Sequence, residues 1–407
     1  MNHSENVDHD AVLRARTMLL GSDRPSWRQE VDAYRVLAEV SPAAYLPKLA
    51  RALTSYRNRN WRTARPEVEL ALHAEAADAA RRIGHDEPNR TEVLCQILDS
   101  YRRTLLTAGR RAEAFAVCEE MAEAGRLGFE RGQVPSRWYG HGRLATMLSE
   151  EGRHGEAADI RGRAAAAVGD LDAAGRHEEA LAAFTDLVDH TRTETEAEAS
   201  ALANLVWGLI HRSGMFDAGG RREEAGADRQ EALRILARLS ESGEPSRRSS
   251  ALSWWSTLFA LSGRAAEPPA TRDAPMPPFG TDCDHWSRDT REAYVAGIPV
   301  LEKEVAELAG AGRITEAVEA HHRLVRRSAV LHQQRSYRIE EPLRPLFNEC
   351  VALARRVPDA PETVARALTD RAMFLAAAAR YGEAHADLAE AVDLLDGAAR
   401  TPIVTRT

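Results

Sequence analysis

The chain has 407 residues, 44% of them hydrophobic and 29% charged, with a formal net charge of −8. That length exceeds one ordinary compact core, so several domains or a repeat array are expected, with the composition of a soluble folded protein. The acidic balance carries no footprint of a general nucleic-acid binder, and no apolar run approaches the roughly 18 residues of a membrane span.

Residues 1–41 read as a tail followed by leading helices. The opening MNHSENVDHD lacks the basic and then apolar regions of a secretory signal, so the cytoplasm is the expected location. Next comes a helix pair: PAAYLPKLARALTSYRNRNW, residues 42–61, and EVELALHAEAADAARRI, residues 67–83. From there a phrase recurs. It stands as AGRRAEA at Gly109, EGRHGEA at Gly152, AGRHEEA at Gly175, GGRREEA at Gly220, SGRAAEP at Gly263 and AGRITEA at Gly312. A seventh copy, AARYGEA, puts Ala379 in the glycine slot.

Four residues after each slot stands a glutamate, and five after it an alanine, except for Pro268. Four before it stands Leu105, Leu148, Leu171, Phe216, Phe259, Leu308 or Leu375. A glycine just past an apolar helical stretch can take the left-handed conformation that ends a helix. The arginine then lies near the exposed carbonyls, and the glutamate falls in the first turn of the next helix, where negative charge is favoured. The alanine lets the two helices approach closely. Each phrase therefore predicts a helix, a tight turn and a second helix.

Between the copies, EPPATRDAPMPPFGTDCDHW, residues 267–286, holds five prolines within eleven residues, which excludes a helix. It reads as a linker or ordered loop between a longer array, residues 42–266, and a shorter one, residues 287–407. No strand pattern of convincing length occurs, so the chain is expected to be all-α.

The turn phrase resembles the tetratricopeptide repeat (TPR) family, above all the degenerate arrays common in actinobacterial proteins. The arginine bias fits a GC-rich genome: only Lys48 and Lys303 of the 54 basic residues are lysine. The resemblance covers residues 42–400, firmly at the turns and loosely elsewhere. The family's period is roughly 34 residues, whereas the slots here are 43, 23, 45, 43, 49 and 67 apart. The longest gap holds an unmarked helix pair around residues 340–357, and the shortest holds one long helix or two very short ones.

The resemblance implies an α-solenoid of stacked helical hairpins, a TPR-like superhelix, since no single repeat buries its apolar face. It also implies a concave groove lined thirteen, ten and six residues before each slot. Those positions are Gln96, Asp99 and Arg103; Tyr139 and Thr146; Ser250, Ser253 and Thr257; and Arg366, Thr369 and Met373. The implied role is a non-catalytic scaffold, structural or regulatory, binding a protein or peptide partner. The alternatives are a peptide- or small-molecule-responsive regulator acting through a partner's output domain, and a helical enzyme. The enzyme would require a deep pocket with clustered, perturbed ionisable groups.

No cofactor is expected. Neither lysine completes a phosphate-binding loop, YGHGRL around Gly140 and Gly142 lacks a third glycine, and no HExxH or GxSxG occurs. The four cysteines, Cys95, Cys118, Cys283 and Cys350, are scattered and read as reduced core thiols. DCDHW, residues 282–286, gathers a thiol, two carboxylates and an imidazole, yet matches no metal-ligand spacing and reads as loop. Of His321 and His322, one is expected at the surface and one partly buried. Trp255 is expected in the core, with Trp254 pointing elsewhere.

Overall fold

A computed structural model of the chain describes residues 9–21, 25–56, 65–161, 167–197, 202–242, 250–333 and 339–400, and among these no strand occurs. None of the described helices is long and apolar enough to cross a membrane. The helices are α1 His9–Leu20, α2 Trp27–Val40, α3 Pro42–Thr54, α4 Pro66–Arg81, α5 Arg90–Thr107, α6 Arg111–Glu130 and α7 His141–Glu150. There follow α8 His154–Arg161, α9 Val168–Ala173, α10 His177–Ala197, α11 Leu202–Ala218, α12 Arg222–Ser242 and α13 Ser250–Ser262. The last are α14 Arg288–Ala296, α15 Ile298–Gly310, α16 Ile314–His332, α17 Glu340–Ala354, α18 Pro361–Ala377 and α19 Tyr381–Arg400. The shortest gap between slots therefore holds two short helices, α8 and α9.

Local signals start these helices. Ser26 caps α2 in a reciprocal box with Gln29, and Pro42, Pro66 and Pro361 stand in the first turns of α3, α4 and α18, where a missing N–H costs nothing. The recurring phrase ends and restarts them. Gly109, Gly152, Gly175, Gly220 and Gly312 all have φ between 72° and 80°. In each, the N–H of the following arginine donates to the carbonyl four residues before the slot, as from Arg110 to Leu105 at 2.9 Å and Arg221 to Phe216 at 2.8 Å. This is the six-to-one bond of a Schellman cap. The alanine five residues after the slot is sealed between the two helices: Ala114, Ala157, Ala180, Ala225, Ala317 and Ala384 are each 0% exposed.

Three features depart from expectation. The arginine side chains do not reach back to the helix carbonyls. They turn forward onto the glutamate of their own phrase, as in Arg110–Glu113, Arg153–Glu156, Arg176–Glu179 and Arg221–Glu224 at 2.5–2.9 Å. Ala379 adopts the left-handed turn without being glycine (φ 59°), as does Asp359 (φ 51°) in the unmarked turn between α17 and α18. Gly263 does not adopt it (φ −98°); the chain runs into a 3-10 turn, Arg264–Ala266. Pro268 stands there in the alanine position. Glu267 is released to form a buried pair with Arg327, whose Nη2 lies 2.5 Å away.

The chain divides into two compact units, residues 1–147 with 287–289, and residues 148–286 with 290–407. The division falls within α7, not at the proline-rich segment. In the first unit α1 to α6 pack each against the next in chain order. In the second, α8 to α12 and α15 to α19 do the same, and a single apolar core runs from Ala158 to Ala391.

Ion pairs also tie each of several helices to the next but one. Arg35–Glu75 joins α2 to α4, Arg81–Glu120 joins α4 to α6, Arg192–Glu231 joins α10 to α12, and Arg344–Glu383 joins α17 to α19, always 39 or 40 residues apart.

The second unit does more than layer in sequence. Helix α12 packs on α19, α13 packs on α16 and α18, and α11 touches α18. Trp207 on α11, fully buried, donates its indole N–H to the Met373 carbonyl on α18 at 3.0 Å. Residues 158–261 of the first expected array thus share one core with the second array, and the proline-rich segment is an ordered loop, a strap packed within that core. Phe279 and Trp286 pack edge-on with Tyr294 at 5.7–6.1 Å, Met276 N–H donates to the Glu150 carbonyl at 3.0 Å, and the Trp286 indole donates to the Thr281 carbonyl at 2.8 Å.

Candidate functional site

Closure of the second unit leaves a partly open cavity of about 880 Å³. Its floor is apolar, with Leu181, Ile210, Leu261, Met373 and Leu395 among the lining residues. Its walls are charged. Four ion pairs stand in the lining: Arg176–Glu179 at 2.7 Å, Arg229–Asp217, Arg264–Asp172 and Arg326–Asp370 at 3.0 Å. Arg366, also in the lining, reaches outward to Glu319 at 3.2 Å.

Asp370 is, with Arg326, the most buried of these groups. Its Oδ2 accepts from Arg326 Nη2 and faces His322 Nδ1, each at 3.0 Å, and Arg326 also donates to the His322 carbonyl at 3.1 Å. Burial pushes the Asp370 carboxyl up, but Arg326, His322 and Arg366 outweigh it and hold the group below the usual carboxylate range. Burial pushes the His322 imidazole down against the pull of Asp370, so the ring is neutral and Nδ1 donates. The guanidinium of Arg326 lies over the Phe259 ring, 5.1 Å from its centroid.

His211 also lines the cavity and is half-buried. Its ring tilts against Phe184 at 4.9 Å, and Phe184 in turn stacks on Trp254 at 6.4 Å. Burial pushes the His211 imidazole down to about 4, only partly offset by Asp172.

The sequence-derived groove positions divide sharply. Arg366, Thr369 and Met373, spaced along α18, all line this cavity, Met373 from a buried position in its floor. The α13 set does not. Ser253 gives its hydroxyl to the Asp282 carboxylate of the strap, Thr257 is buried, and the side chain of Ser250 lies outside the described residues. The strap covers the face that the repeat pattern left open.

In the first unit Gln96 and Arg103 are exposed on α5. Asp99 beside them gathers Arg102 at 2.9 Å, Arg143 at 3.1 Å and Arg103 at 3.5 Å. Burial raises the Asp99 carboxyl, and the three arginines more than offset it. Tyr139 lies in the turn before α7 rather than on a helix, packed against the first unit's core. Thr146 is buried with its hydroxyl on the Gly142 carbonyl at 3.0 Å, which removes it from any groove.

Other sequence readings change as well. His321 and His322 are both fully buried, so neither is a surface residue. All four cysteines are free and buried, and Trp255 lies in the core as its position implied.

Within DCDHW, ligand atoms of Asp282, Cys283 and Asp284 lie within 4.8 Å of one another. They are already engaged. Asp282 caps a short 3-10 turn by accepting from the Asp284 N–H at 2.9 Å and also holds Ser253, while burial pushes the Cys283 thiol up to about 12.

The cavity was not legible in the repeat phrases, because helices more than 100 residues apart in the sequence enclose it. Compared with known proteins, the chain matches no protein-family model and no curated protein.

Proposed function

We propose that the chain is a non-catalytic, TPR-like helical-repeat receptor whose second unit holds a peptide segment of a partner protein in the cavity between α10, α11 and α18. The carrying observation is the cavity of about 880 Å³, near the upper end of the range typical of ligand sites, with an apolar floor and charged walls. Three of the groove positions implied by the TPR resemblance, Arg366, Thr369 and Met373, line it.

Stacked hairpins of the TPR kind are supported by the Schellman turns and by the ion pairs between next-but-one helices, which recur along both units. A binding role is favoured over catalysis by the state of the ionisable groups. Asp370 is locked by Arg326 and His322, and His211 has no hydrogen-bonded acid, base or nucleophile beside it among the described residues.

Gly214 supplies the test. It lines the cavity on α11, and a Cβ added there meets nothing within 4 Å, so a tryptophan at this position fills the cavity from an unstrained helix. Peptides selected from a random display library on the wild-type chain should lose about tenfold or more in affinity for Gly214→Trp. Selected peptides that bind both proteins equally would remove the cavity from the binding role.

A further inference from the structure

The charges around the cavity are not equally free. Each arginine in its lining is taken by a carboxylate of the protein: Arg176 by Glu179 and Asp159, Arg229 by Asp217, Arg264 by Asp172, Arg326 by Asp370 and Arg366 by Glu319. Two lining carboxylates are left over. Glu178, in the first turn of α10, and Glu362, in the first turn of α18, carry no ion pair among the described residues, and both are exposed. They come from opposite arms of the closed unit.

The uncompensated charge at this site is therefore negative, above an apolar floor. An anionic ligand would meet guanidiniums whose charge carboxylates of the protein already balance, with no uncompensated positive charge to draw it. A cationic group meets Glu178 and Glu362 without displacing anything. The other groups facing the site do not reverse this balance. His211 stays neutral above the acid range, His177 is tied to Asp172 at 2.7 Å, and Thr369 is uncharged.

We infer that the segment received by this cavity is basic and apolar: a short stretch with aliphatic or aromatic side chains for the floor and at least one lysine or arginine set between Glu178 and Glu362. This rests on the receptor reading above and adds the polarity of the ligand to it. The volume of about 880 Å³ suits a few residues of chain better than an ion or a metabolite of few atoms.

The test uses three fluorescein-labelled peptides with one apolar core, flanked by lysines, by serines or by glutamates. Their anisotropy is titrated with the full-length wild type, with the Glu178→Gln/Glu362→Gln double variant and with Gly214→Trp. The lysine peptide should bind the wild type about tenfold more tightly than the glutamate peptide, with an advantage that shrinks in high salt. The double variant should erase that advantage while leaving the serine peptide unchanged, and its thermal melting should fall by no more than a few degrees, the loss of two exposed first-turn charges.

If the serine or glutamate peptide binds as tightly as the lysine peptide, and Gly214→Trp still abolishes binding, the inferred polarity is wrong and the cavity keeps its role. If the lysine peptide binds Gly214→Trp as well as the wild type, the cavity reading falls and takes this inference with it.

Discussion

Ala379 holds a position that five of the other six phrases give to a left-handed glycine, and its φ of 59° is one that residues with a Cβ adopt at a cost. Replacing it with glycine sets two terms against each other. Relief of the left-handed strain is worth about 1–2 kcal/mol. The greater freedom of glycine in the unfolded chain returns about 0.4–1 kcal/mol. Ala379 is exposed, so its methyl contributes little burial, and the cap itself, Arg380 N–H to the Leu375 carbonyl at 2.8 Å, needs no side chain.

The net expectation is that Ala379→Gly stabilises the second unit by about 0.5–1 kcal/mol, a rise in Tm of about 2 °C for a unit of this size. The reverse change makes the control. Gly312 has φ 74° and open space where a Cβ would go, so Gly312→Ala isolates the backbone term and should cost about 1 kcal/mol. Calorimetry of both variants against the wild type reads the difference, with urea midpoints checked for an unchanged slope. An Ala379→Gly protein that melts at or below the wild-type temperature, beside a Gly312→Ala protein that melts lower, would refute the claim that this turn is strained.

Three further outcomes follow from the packing. Arg212 and Asp228, both buried, form a bidentate pair at 2.7 Å between α11 and α12; Asp228→Asn should cost about 3–5 kcal/mol in a denaturant titration, because it strands a buried guanidinium. Gly169 lies against the strap so closely that a Cβ would come within 1.9 Å of the Phe279 carbonyl oxygen. Gly169→Ala should therefore loosen residues 276–286, seen as faster amide exchange there with smaller changes in the first unit. His211 is neutral in the folded chain down to about pH 4, whereas in the unfolded chain it takes up a proton from about pH 6.5, so stability falls as the pH drops between those values, by at most about 3–4 kcal/mol. His211→Phe should flatten that part of the stability profile, and a profile unchanged by the substitution would show that His211 is not so depressed.

What could be read from the residues was the local part. The glycine slot, the leucine or phenylalanine before it and the alanine after it each answer to a single turn, so seven short phrases suffice to locate them. The strap, the closure of α12 on α19 and the cavity depend on contacts that no local pattern encodes. Even so, two signals were present. Arginine and glutamate recur 39 or 40 residues apart along both units, a period set by helices that are neighbours in space rather than in sequence. Arginine eight residues before a slot and aspartate eight after it also bridge two hairpins, as Arg212–Asp228 and Arg371–Asp387. The turn at Asp359 carries no glycine to mark it, since aspartate is one of the few other residues that tolerates the left-handed conformation.

The copy that departs most from the phrase bears most directly on the site. At Gly263, Pro268 removes the N–H that a following helix would need, so no hairpin partner forms and the chain passes into the strap. Helix α13 is left with its side open, and it is filled by α16 and α18 from far along the sequence. Gly263 matters there for its missing Cβ rather than for a turn: a Cβ would stand 2.0 Å from Arg326 Cδ, the side chain that holds Asp370 in the cavity wall. One broken repeat thus interrupts the run of hairpins, admits the distant helices and seats the arginine on which the wall depends. Gly263→Ala should accordingly displace Arg326 and weaken peptide binding as well as stability. Gly312→Ala, at an intact turn remote from the cavity lining, should reduce stability alone.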